Sequence, residues 1–202
     1  MRVLAVFPAA RTSEVETGWE DRWRLFHRPV RVGPLWVGPP WENAPDDSVA
    51  VVIDPGRAFG TGAHPTTRLC LGLLLGEERG SVLDVGCGSG VLAIAAAKLG
   101  HNPVVAVDLD LSAVEATRAN AERNGVAVDA RRLDATASPL PRADLALTNI
   151  ALGAVGELGS RLAAPRVVTS GYLASDVPTL AGFRCVERRE LDGWAADVHA
   201  RL

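Results

Sequence analysis

The chain has 202 residues, 48% hydrophobic and 22% charged, which suits a single globular domain and excludes a disordered, collagen-like or disulfide-miniprotein chain. A net charge of −3 is too small to point to nucleic acid or an anionic membrane as a partner. The longest apolar runs, such as Val91 to Ala97, fall far short of the roughly 20 residues that a membrane span needs.

In chain order, MRVLAVF offers one strand at most, and it lacks the length of a secretory signal. Residues 1–50 are dense in Trp and Pro, with Trp19, Trp23, Trp36 and Trp41 among Pro29, Pro34, Pro39, Pro40 and Pro45. Trp19, Trp23 and Phe26 fall on one face of a short helix, and Val30 to Val37 reads as one or two strands broken at Gly33-Pro34. This stretch is assigned as an N-terminal segment and linker, with an alternating α/β domain over 51–202. That domain begins with a strand at Val51–Asp54, a loop over Pro55–Pro65 and a helix from Thr66. Next come a strand at Val82–Val85, a glycine turn over Gly86–Gly90 and a helix to Gly100. A strand at Val104–Asp108 leads to a helix over Leu111–Asn124, stopped by Gly125. Strands follow at Val126–Leu133 and Asp144–Ile150, then a helix to about Ala163, a strand at Arg166–Ser170 and a short helix near Val177–Ala181. Cys185–Glu190 and Ala195–Arg201 are the final strands, joined by a turn at Asp192-Gly193. Such alternation predicts a mostly parallel sheet with helices on both faces, and the terminal strand–turn–strand makes the last strand antiparallel. Cys70, Cys87 and Cys185 are odd in number and widely spaced, so no metal site is expected, and reduced thiols in a cytosolic protein are the default.

The segment VLDVGCGSG, residues 82–90, runs a strand into a glycine turn and a helix, which brings backbone and helix N-terminus close to a ligand. Gly86, Gly88 and Gly90 form that turn at the carboxyl end of a strand, where open α/β sheets bind nucleotides. Asp108 ends the next strand, where a carboxylate accepts both hydroxyl hydrogens of an adenosine ribose. Two cofactor classes share this pattern. Asp84, two residues before the first glycine, would repel a dinucleotide's diphosphate but attract the ammonium and sulfonium of S-adenosylmethionine, which favours the methyl donor. Asn149 ends a strand at the same sheet edge, where its side-chain carbonyl can accept N–H bonds from a target amine. Alternatively it is a strand-end turn residue. Asp134, after the strand at Val126–Leu133, reaches toward an adenine amino group or else pairs with Arg131 or Arg132 at the surface.

The loop Asp54-Pro-Gly-Arg-Ala-Phe-Gly-Thr-Gly-Ala-His-Pro-Thr-Thr67 has its own reading. Its glycines permit tight geometry, Phe59 offers an apolar cover, Gly60 and Thr61 would face the cofactor beneath it, and Thr66 and Thr67 can cap the next helix. His64 serves a local hydrogen bond more readily than it serves as a base.

On these residues the chain resembles the Rossmann-like, class I methyltransferases, and within them the family that modifies ribosomal protein eleven of the large subunit. The resemblance rests on the loop at 54–67, on WEDRWRLFHRPVRVG at 19–33, PPW at 39–41, DVGCGSGVLAIAAAKLG at 84–100 and VDLD at 107–110, and on NI at 149–150, SG at 170–171 and Trp194. Arg57 and Ala63 depart from the family's usual Met and Thr. The resemblance implies a seven-stranded, mostly parallel sheet with an antiparallel last strand and helices on both faces. It also implies S-adenosyl-L-methionine as cofactor, with contacts at Thr67, Gly86, Asp108 and Asn149. The implied activity is N-methylation of lysine or α-amino groups on a cytoplasmic protein substrate, with no direct nucleic-acid or membrane partner. Relatives carry a separate N-terminal recognition domain, and with about eighteen residues before Trp19 that module is expected to be absent or vestigial. The other readings are a methyltransferase of the same family for a different protein or small amine, and a cofactor-binding protein without catalysis. A dinucleotide oxidoreductase is a more distant one.

Overall fold

The computed structural model describes residues 27–55 and 60–202. The expected helix around Trp19, Trp23 and Phe26 and any strand in MRVLAVF lie outside them, as does Phe59.

Two sheets share one core. The smaller consists of β1 (Val30–Val32), β2 (Leu35–Gly38) and β3 (Val49–Val52), with β1–β2 an antiparallel hairpin around Gly33 and β3 parallel to β2. The strand expected at Val51–Asp54 is therefore β3, and it pairs with this small sheet rather than opening the large one. A short apolar run signals a buried strand, but it does not say which neighbour will take its hydrogen bonds.

The larger sheet has the order β6-β5-β4-β7-β8-β10-β9. Its strands are β4 (Val82–Val85), β5 (Val104–Asp108), β6 (Asp129–Arg132), β7 (Leu145–Asn149), β8 (Arg166–Leu173), β9 (Phe183–Leu191) and β10 (Trp194–Arg201). The first five are mutually parallel, and β10 runs antiparallel to both β8 and β9. Three helices share one hydrophobic cluster with the small sheet, through residues such as Leu71, Ile94, Val114, Leu35 and Val51. These are α1 (Pro65–Leu74), α2 (Val91–Lys98) and α3 (Leu111–Arg123). The opposite face packs Leu83, Val85 and Val167 under Val155 and Leu158 of α4 (Leu152–Leu158). Helices on both faces and the antiparallel last strand are as the sequence predicts.

The short helix expected near Val177–Ala181 does not form. Pro178 drives the residue before it toward extended backbone and removes an amide donor, and five residues are too few to nucleate a helix without strong packing. Side chains hold this stretch instead. The Asp176 carboxylate accepts the Leu173 N–H at 3.0 Å, and Arg188 Nη2 donates to the carbonyls of Ala174 and Asp176 at 2.8 Å each.

Candidate active site

The carboxyl ends of β5, β4 and β7 lie side by side, so this edge gathers Asp108, the glycine turn and Asn149. Gly86, Gly88 and Gly90 all adopt positive φ (75°, 53° and 84°), which side chains rarely tolerate. The turn is bonded down onto β5, since the N–H groups of Gly86 and Cys87 both donate to Val107 O, at 2.9 and 3.1 Å. A Cβ at Gly86 would come within 2.4 Å of Ile150 Cγ2, so the turn also packs against the end of β7.

Asp108 is half-buried, and each of its oxygens takes one backbone N–H, Oδ2 from Gly88 and Oδ1 from Asp110, both at 3.0 Å. Each carboxylate oxygen accepts more than one bond, so capacity for a pair of hydroxyl hydrogens remains. The cap of α3 falls to Asp110, whose Oδ1 accepts the Ser112 N–H at 2.8 Å, which leaves Asp108 free of that duty.

Asp84 turns toward α2. Its Oδ2 accepts the Ala93 N–H at 3.1 Å, serving a helix whose N-cap, Gly90, has no side chain to do so. Burial pushes its carboxyl up to about 7, against the Ala93 hydrogen bond and with added repulsion from Asp108. A cationic ligand beside this pair would favour the ionised form of Asp84. Burial, with Asp84 adding to it, also pushes the thiols of Cys70 and Cys87 up to about 12, so neither is a nucleophile near neutrality.

The Asp84 shift carries a pH signature. Its folded pKa lies above the usual 3.8, so its contribution to stability is fully present below that value and is lost as pH rises through about 7. Asp84→Asn keeps a carbonyl for Ala93 N–H without the titration. The variant is expected to match the wild type near pH 4 and to exceed it by on the order of a few kcal/mol near pH 8.5. Denaturant melts at the two pH values check this, and a pH-independent difference between the proteins would overturn it.

Asn149 is half-buried, and its Nδ2 donates to Thr67 Oγ1 at 3.3 Å. That bond leaves Oδ1 as the atom able to accept an N–H. Thr67 is itself buried in the first turn of α1. His64 caps α1, with Nδ1 2.8 Å from Thr66 Oγ1, and its ring meets Trp194 edge-on at 4.8 Å. It therefore serves the local hydrogen bond that its loop position favours.

Gly60 reaches the glycine turn, because Ser89 Oγ donates to Gly60 O. Thr61 borders a crevice with His27, Arg28, Pro39, Ile53 and Pro55, against the small sheet. Asp134 accepts the N–H and hydroxyl of Thr136 on Oδ1, at 2.9 and 2.7 Å, and these bonds hold its carboxyl below the usual range. Arg131 pairs with Asp129, and Arg132 donates to Leu109 O at 3.0 Å, so both arginines are engaged elsewhere.

Four polar residues in or behind the glycine turn were not singled out by the sequence pattern. Ser89 lies inside the glycine turn, and Thr117, Asn120 and Asn124 form a buried polar stripe on α3. Their spacing of i, i+3 and i+7 on the face that should be apolar is the signal that could have found them.

Among the described residues, no group of His, Cys, Asp and Glu could hold a metal ion, and no helix is long and apolar enough to cross a membrane. A groove of about 650 Å³ lies at the opposite edge of the sheet, lined by Glu77, Arg79, Asp144 and Arg166 among others. Glu77 and Arg166 spend their charges on each other there, with Arg166 Nη2 2.7 Å from Glu77 Oε1.

Comparison with known proteins agrees with this geometry. The sequence profile of the ribosomal protein L11 methyltransferase family (PrmA) matches residues 5–177. Proteins named ribosomal protein L11 methyltransferase from Shewanella sediminis (strain HAW-EB3) and Shewanella sp. (strain ANA-3) are 45% and 46% identical to this chain over 167 residues. Those matches cover 77% of this chain, which spans about half the length (55%) of these curated relatives. The crystal structure of ribosomal protein L11 methylase from Lactobacillus delbrueckii subsp. bulgaricus superposes with a TM-score of 0.76 at 29% identity, covering 87% of this chain and 99% of that one.

Proposed function

The chain belongs to the ribosomal protein L11 methyltransferase family, and on that premise we propose that it transfers a methyl group from S-adenosylmethionine to an amino nitrogen of ribosomal protein L11. The observation that carries this reading is the meeting at one sheet edge of Asp108, bonded to the Gly88 N–H, with the carboxamide of Asn149, bonded to Thr67.

The residues present suit the cofactor. Asp108 would take the ribose hydroxyls, the turn at Gly86, Gly88 and Gly90 would let backbone approach its amino-acid end, and the negative charge of Asp84 and Asp108 would favour its cationic groups. When bound, S-adenosylmethionine supplies an electrophilic methyl carbon on a sulfonium. The chain's own contribution is alignment. Asn149 Oδ1 accepts an N–H of the target amine, and the bond from Asn149 Nδ2 to Thr67 fixes the plane of the carboxamide. A lysine amine has a pKa of about 10.4 in water, so the target amine must lose its proton to solvent before transfer.

The test is transfer of label from S-adenosylmethionine to purified ribosomal protein L11, with Asn149→Ala beside the wild type. Label on lysine or the N-terminus is expected, and the variant should turn over about a hundredfold more slowly or worse, the scale of a lost positioning contact. Its affinity for the cofactor should change less. An unlabelled acceptor with a cofactor-loaded wild type would overturn the choice of substrate, and an unchanged rate in Asn149→Ala would remove that residue from the mechanism.

A further inference from the structure

The buried stripe of α3 binds backbone along its whole length. Thr117 Oγ1 donates to Gly88 O at 3.1 Å. One turn on, Asn120 Nδ2 donates to Ser89 O at 2.9 Å, while its Oδ1 accepts the Asp54 N–H at 3.0 Å. A further turn on, Asn124 Oδ1 accepts the Val52 N–H at 2.9 Å and its Nδ2 donates to Val52 O at 2.7 Å. Ser89 Oγ then donates to Gly60 O. Asn120 is thus tied directly to the glycine turn and to Asp54, and through Ser89 to Gly60. It is 2% exposed, so each of these bonds is shielded from water.

We propose that Asn120 is a positioning residue for the cofactor site: it holds Asp54 directly, and Gly60 through Ser89, against the glycine turn, so that cofactor affinity depends on a carboxamide in the helix behind that turn. The inference rests on S-adenosylmethionine being the ligand of the turn. Its physical basis is preorganisation. Ser89 and Gly88 have their carbonyls fixed from behind by α3, so the turn holds its shape before any ligand arrives, and a ligand need not supply that ordering. Asn124 provides the contrast, because it bonds β3 and the carbonyl of Asn120 but no residue of the turn.

The experiment measures, by calorimetry, the Kd of S-adenosylmethionine for the wild type, Asn120→Ala, Asn120→Asp and Asn124→Ala, together with the melting temperature of each without ligand. Asn120→Asp keeps an acceptor for the Asp54 N–H but sets an oxygen against Ser89 O, so it breaks only the link to the turn. It also gives the same reading if Asn120→Ala does not fold. Asn124→Ala should melt lower than the wild type yet bind within about twofold of it. Both Asn120 variants should bind about tenfold more weakly or worse, the scale of one buried hydrogen bond lost from the bound state. Asn120 variants that melt lower but bind as the wild type does would overturn the inference and leave the cofactor assignment standing. A wild type that does not bind S-adenosylmethionine would overturn both.

Discussion

Gly171→Ala is expected to destabilise the protein by roughly 3 kcal/mol or more and to abolish the proposed methyl transfer. The residue has φ +103°, and a Cβ there would sit 2.1 Å from Ile150 O, 2.6 Å from Ile150 C and 3.0 Å from Ile150 N. All three are backbone atoms, so no side-chain rotation relieves the overlap. The pairing of β8 with β10 slips at this point, with Tyr172 opposite Ala195 and Ser170 opposite Ala196, so Gly171 is the extra residue of a bulge. Ile150 follows Asn149 directly, and the displaced backbone would carry the amine-binding carboxamide with it. Thermal unfolding should show a fall of about 6–12 °C for a domain of this size. A variant that melts with the wild type and still transfers methyl groups would show that the bulge yields.

Asp108→Ala is expected to weaken S-adenosylmethionine binding by about 3 kcal/mol, or roughly a hundredfold in Kd. Because the carboxylate also anchors Gly88 and Asp110, part of that loss would come from a loosened turn. A cofactor analogue lacking one ribose hydroxyl separates the two contributions. It should bind the wild type more weakly than the parent cofactor does, but bind Asp108→Ala equally well, because the partner of the hydroxyl is gone. Equal penalties in the two proteins would sink the ribose assignment.

The central motif was legible because its local and global signals agree. Strand β4, the glycine turn and α2 are written in one run of nine residues and eight more, and the positive φ values of Gly86, Gly88 and Gly90 are what those glycines are for. Less legible was anything set by long-range pairing. The apolar run of β3 announced a strand, yet its partner is β2, fixed by Leu35, Val37, Val51 and Ile53 packing together in the shared core. Asp84 was assigned to a ligand's positive charge, and the structure adds a bond to Ala93 that no spacing rule specifies. Asn120 and Asn124 look like solvent-facing helix residues in a sequence. Their spacing with Thr117 hints at a shared face, and the backbone groups they meet, 66 and 72 residues away, show that this face is buried.

The place of β10 in the sheet also sets an order of assembly. It lies between β8 and β9, so on a nascent chain emerging from the ribosome β8 has one flank open while residues 174–193 are still being made. That flank, RVVTSGYL, is rich in β-branched residues and offers eight residues of unpaired backbone to any neighbouring chain on the same messenger. Once β10 slots in, the outermost strand becomes β9, which carries Arg184, Glu187, Arg188, Arg189 and Glu190 and resists further strand addition. Exposure to misassembly is therefore concentrated in the interval before the final hairpin closes, and a stalled or truncated product ending before Trp194 would keep that interval open.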